Sequence, residues 1–122
     1  MADSTSIVRS AYAAFQRGDI QTVLSALSPD VDWKYYGRVP WAGERTGPEQ
    51  VEAFFQILGD ALDIKTFEPS EYIGEGNKVV VFGRTDAIGK KSGQRYENQW
   101  AHMLSVENGK ITHFVGHDTS PL

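Results

Sequence analysis

Apolar positions early in the chain recur at helical spacing. Ile7, Val8, Ala11, Tyr12 and Phe15 make one stripe, which predicts a helix over residues 5–17. Gly18 stops it, and Asp19 caps a shorter helix carrying Val23, Leu24 and Leu27, closed by Ser28-Pro29. Residues 31–36 form a short aromatic strand, and residues 37–47 a loop holding Pro40 and Trp41. Thr46-Gly47-Pro48-Glu49 has the spacing of a capping box. The third helix follows it, with Val51, Phe54, Phe55, Leu58 and Leu62 on one face.

From Ile64 the pattern changes to strands. Residues 64–73 contain Pro69, which suits an edge strand or a bent one. A turn at 74–77 leads to a strand over 78–88, and a turn at 89–93 to a strand over 94–106. Glu107-Asn108-Gly109-Lys110 is a hairpin signal, because Asn-Gly accepts the positive φ of a type I′ turn. The last strand covers 110–117. Helices gathered ahead of hairpin-linked strands mean an α+β fold, in the order α-α-β-α-β-β-β-β. We expect a curved, mostly antiparallel sheet wrapped around three N-terminal helices as a conical barrel with a pocket. Such a hollow commonly holds a small apolar ligand.

Composition narrows the functional classes. The 122 residues make one domain, 1–122, and a hydrophobic fraction of 40% is enough for an ordered core. The formal charge is -4 and no basic run exceeds Lys90-Lys91, so nucleic acid is not an expected partner. The chain has no cysteine, which removes thiol catalysis and thiolate metal sites. His113 and His117 are about 13 Å apart on a regular strand, too far to share a metal ion. No metal site is expected. There is no apolar run near membrane-spanning length and no leader pattern after Met1, so a cytoplasmic location is expected.

Candidate chemistry gathers in the C-terminal hairpin. Trp100 and His102 lie on one strand, and Gly116-His117-Asp118 close the next. With a two-residue Asn108-Gly109 loop, His102 faces Val115 and Trp100 faces His117. His117 then shares the His102 face, while Asp118, Phe114 and Met103 share the other. Two arrangements stay open: a bulge at Gly116 carries Asp118 to the His102 side, or His117 takes that place. With a five-residue loop at 89–93, Arg84 and Asp86 also fall on the Trp100 and His102 face.

Several motifs appear in a recognisable order. They are Gly18-Asp19, Val31-Asp32-Trp33, the turn Trp41-Ala42-Gly43-Glu44-Arg45-Thr46-Gly47, Trp100-Ala101-His102, Gly109-Lys110-Ile111 and Asp118-Thr119. Together they resemble the SnoaL-like branch of the nuclear transport factor 2-like superfamily, over nearly the whole chain. The resemblance implies a small-molecule enzyme working without a cofactor, by acid–base catalysis of isomerase, cyclase or dehydratase type. Asp118 or His117 would be the base and His102 its partner. Trp33, Tyr35, Trp100, Tyr12 and Phe55 would line the substrate pocket. A second reading is a hydrolase resembling limonene epoxide hydrolases, with Arg84, Asp86 and Asp118 converging. A third is a non-catalytic ligand-binding or assembly domain, dimeric through an outer sheet face holding Met103, Phe114 and Ala101. Tyr12 lies near the position where related ketosteroid isomerases carry an oxyanion-stabilising tyrosine. It is one position out of register, and the 31–36 strand has no matching carboxylate base, which argues against steroid isomerisation.

Overall fold

The computed structural model describes residues 3–118, apart from the side chain of Asp118. Three helices are present among the described residues: α1 (Ser4–Gln16), α2 (Ile20–Ser25) and α3 (Pro48–Ala61). Six strands make one sheet: β1 (Leu27–Tyr36), β2 (Gly43–Thr46), β3 (Leu62–Glu75), β4 (Lys78–Gly89), β5 (Arg95–Glu107) and β6 (Lys110–Asp118). Their order is β2-β1-β6-β5-β4-β3, antiparallel except for the parallel pair β1 and β6. The sheet is open, with β2 and β3 at its edges, rather than closed into a barrel. No helix among the described residues is long and apolar enough to cross a membrane.

Local chemistry sets the helix starts. Asp3 Oδ1 accepts from the Ser6 amide at 2.8 Å, and Asp19 accepts from the Thr22 amide and hydroxyl. At α3 the N-cap is Gly47, one residue later than the capping-box pattern suggests, with Pro48 as the first helical residue. Gln50 Oε1, instead of Glu49, reaches back to accept from the Thr46 amide at 2.7 Å. The buried stripes of α1 (Val8, Ala11, Tyr12) and α3 (Val51, Phe54) pack on the inner face of the sheet.

Three strand assignments differ from the sequence pattern. Leu62, expected on the face of the third helix, opens β3 and pairs with Gly89 of β4. Leu27 and Ser28 open β1 rather than ending α2; Leu27 pairs with Ile111 of β6. Part of the 37–47 loop is the four-residue strand β2, paired with β1 from Asp32 to Tyr35. Pro69 lies on the edge strand β3, and the register shifts between Pro69 and Glu71.

The two C-terminal hairpins decide which side chains meet. Asn108 (φ 52°) and Gly109 (φ 78°) form the tight turn that Asn-Gly predicts. Glu107 pairs with Lys110 and Val106 with Ile111, but Ser105 pairs with His113, so Thr112 is an extra residue in β6. Beyond this bulge every pair moves by one: His102 faces Gly116, Ala101 faces His117, and Trp100 faces Asp118. The bulge exists, at Thr112 and not at Gly116. In the other hairpin Ile88 pairs with Arg95, so six residues (89–94) separate them instead of five. Arg84 then pairs with Gln99 and Asp86 with Glu97, and Trp100 sits opposite Gly83.

Candidate active site

The inner sheet face and the helices enclose a cavity of ≈ 100 Å³ with an almost wholly apolar wall. Five of the expected pocket residues line it: Trp33 and Tyr35 from β1, Trp100 from β5, Tyr12 from α1 and Phe55 from α3. His102 lines it as well. Strand alternation accounts for the β5 set, since Trp100, His102 and Leu104 fall on one face.

Two glycines make room for the rings. A Cβ on Gly83 would come within 2.5 Å of the Trp100 ring and 2.6 Å of the Glu68 carbonyl oxygen. A Cβ on Gly116 would come within 2.7 Å of the Tyr35 ring. Both rings therefore pack close against the backbone of a neighbouring strand. Trp100 stacks on Phe67 on one side (5.0 Å, 17°) and on His102 on the other (4.1 Å, 10°). Its Nε1 donates to Thr85 Oγ1 at 2.9 Å. Trp33 stacks on Phe114 at 3.9 Å and 13°.

The polar centre of this wall is a pair from distant parts of the chain. Tyr12 Oη lies 2.5 Å from His102 Nδ1, and both residues are buried. Burial, and secondarily the charge of His117, pulls the His102 pKa down to about 3, so the imidazole is neutral at pH 7. Burial also holds the Tyr12 phenol well above its usual range, so it keeps its proton. A neutral imidazole accepts at one nitrogen only. With the phenol donating to Nδ1, the ring proton rests on Nε2. Trp33 Nε1 is buried with no partner among the described residues.

Other candidates fall elsewhere. His117 is exposed and packs beside Tyr36 (5.0 Å), on the face away from the cavity, because the Thr112 bulge moves it opposite Ala101. Arg84 and Asp86 also lie on that outer face, because the extra residue in the 89–94 turn reverses their side. Arg84 pairs with Glu68 at 3.5 Å and Asp86 with Arg95 at 3.2 Å; Thr85 between them lines the cavity. Neither Arg84 nor Asp86 forms part of the pocket, as the epoxide-hydrolase reading required. Phe114, expected outside, is buried in the cavity wall. The Asp118 backbone pairs with Trp100, and its side chain lies outside the described residues, as does Thr119. Sequence reasoning missed Thr85 and Phe67 as wall residues; with the 89–94 turn counted as six residues, alternation finds Thr85. Among the described residues no three His, Asp or Glu side chains gather as a metal site would require.

Comparison with known proteins matches this geometry to a family. The SnoaL-like domain family matches residues 8–114. A nuclear transport factor 2-like protein from Burkholderia thailandensis superposes with a TM-score of 0.91 at 28% identity, covering 97% of this chain and 92% of that one. One of unknown function from Burkholderia pseudomallei gives 0.86 at 30% identity, over 97% and 92% of the two chains. TerC, co-crystallised with polyporic acid, gives 0.82 at 24% identity, over 94% and 90%. A comparison with curated proteins gave no match.

Proposed function

The chain belongs to the SnoaL-like domain family, with the nuclear transport factor 2-like fold, and from that premise we propose that it binds a compact, mostly apolar carbonyl compound and moves a proton next to the carbonyl without a cofactor. The observation that carries this reading is the buried Tyr12–His102 pair in an otherwise apolar, ring-lined cavity. A ligand there gains from ring burial and needs one polar handle. Nε2–H of His102 is a neutral donor suited to a carbonyl oxygen, and Tyr12 fixes its direction. A hydrogen bond to an oxygen that gains negative charge strengthens as the proton leaves the adjacent carbon.

With Nδ1 taken by the Tyr12 hydroxyl and the ring proton on Nε2, the neutral His102 has no free acceptor to remove that proton itself. We therefore give His102 the role of oxyanion donor and assign the base to Asp118. In support, the backbone of Asp118 pairs with Trp100, two residues from His102 on β5.

The test is exchange of the α-protons of 2-tetralone in deuterated buffer, followed by proton NMR. His102→Ala and Asp118→Asn should each slow exchange at least tenfold relative to the native chain. Equal rates in all three would end the proposal.

A second proposal concerns assembly. Two cross-strand rows on the outer face carry apolar groups: Ile73, Val80, Met103 and Val115 in one, Phe82 and Ala101 in the next. Met103 is 57% exposed and Ile73 53%. We propose that this face pairs two copies of the chain, since apolar rows of this kind mark association surfaces.

A further inference from the structure

Trp41 alone, among the described residues lining the cavity, comes from a loop; all the others stand on helices or strands. The loop joins β1 to β2, yet the indole is 3% exposed and meets Tyr96 of β5 edge-to-face at 5.7 Å and 81°. It thus crosses from the β1–β2 edge of the sheet to the far hairpin. Gly37 (φ 151°) and Gly43 (φ 134°) bound the loop, in backbone states that other residues rarely adopt. Between them the Ala42 amide donates to the Val39 carbonyl at 3.1 Å. One side chain fastens the segment from below: Arg45 Nη1 donates to the Trp41 carbonyl at 3.0 Å, and its guanidinium lies 5.0 Å from the centre of the Phe54 ring.

We propose that Trp41 is the size-setting wall of the pocket and that Arg45 is the positioning residue that latches it. This deepens the reading above and rests on it. A cavity of ≈ 100 Å³ is smaller than the roughly 150 Å³ void known to admit one benzene ring. Helices and strands resist displacement because they are packed and hydrogen-bonded, whereas a loop flanked by glycines moves at low cost. Enlargement for a ligand of more than one ring therefore falls on Trp41.

The experiment measures calorimetric affinity for three neutral ketones of rising size: cyclohexanone, 2-tetralone and a tetrahydrophenanthrenone. Native protein should prefer the smaller members. Trp41→Ala should improve the affinity for the three-ring ketone relative to cyclohexanone by at least tenfold, and Trp41→Phe by a smaller factor. The phenylalanine variant carries the test if the alanine variant does not fold. Native and variant proteins that bind with one common order of preference would overturn the assignment to Trp41 while leaving the pocket reading intact. No binding of any ketone to any of these proteins would reject the pocket reading and this inference with it. Arg45→Met keeps an unbranched apolar side chain and removes both the donor to Trp41 and the cation over Phe54. It should raise the association rate of 2-tetralone severalfold in stopped-flow mixing, without changing the order of preference. Unchanged rates would overturn the latch.

Discussion

Acidification tests the Tyr12–His102 pair most directly. The folded imidazole titrates at about 3 because it is buried, whereas an unfolded histidine titrates near about 6.5. Between those values the unfolded chain binds a proton that the folded chain refuses. Stability from this group is therefore complete above the unfolded value and declines as the pH falls toward 3. Each pH unit inside the window is worth about 1.4 kcal/mol, so lowering the pH from 7 to 5 should remove roughly 2 kcal/mol. The carboxylates held below their usual range, Asp3, Asp19, Asp63 and Asp86, titrate below this interval, so they do not confuse it. Urea unfolding followed by circular dichroism at pH 7, 6 and 5 gives the slope. His102→Asn keeps an acceptor for the Tyr12 hydroxyl but cannot titrate, so most of the slope should vanish in it. Equal slopes in the two proteins would show that His102 is not buried in neutral form.

Further expectations follow from the same geometry. Tyr12→Phe leaves His102 Nδ1 buried without its donor and should cost roughly 1–2 kcal/mol in urea unfolding at pH 7; a cost indistinguishable from zero would remove the bond from the account. Gly83→Ala drives a methyl group into the Trp100 ring and the Glu68 carbonyl. It should cost about 1–3 kcal/mol and shift tryptophan emission, and a thermal melt identical to native would contradict the close approach. Met103→Glu places a charge in the exposed apolar rows of the sheet, and light scattering on a sizing column should then report one chain where the native protein gives two. A native protein that already elutes as one chain would refute the pairing of copies through that face.

The helices and most strands were legible because their apolar residues repeat with a clear period, and because Asn108-Gly109 can form few other turns. β2 was not, since its four residues, Gly43–Thr46, are mostly exposed and carry no apolar alternation. The site was legible in its members and not in its register. Side chains alternate along a strand, so one extra residue transfers every later group to the opposite face. Thr112 did this to His117 and Phe114, and the longer 89–94 turn did it to Arg84 and Asp86. Neither insertion alters the hydrophobic pattern enough to announce itself. The Tyr12–His102 bond was equally hidden, because its two partners are separated by 90 positions and only the folded sheet brings them together.

The parallel pairing of β1 with β6 has a consequence for biosynthesis. A ribosome makes β1 well before its neighbour β6, and contacts between such remote segments form slowly. The β6 side of Trp33 and Tyr35 therefore stays uncovered through most of translation, as sticky aromatic surface on a growing chain. A nascent chain stalled before Lys110 should be held by chaperones, and emergence of residues 110–118 should be the event that ends that hold.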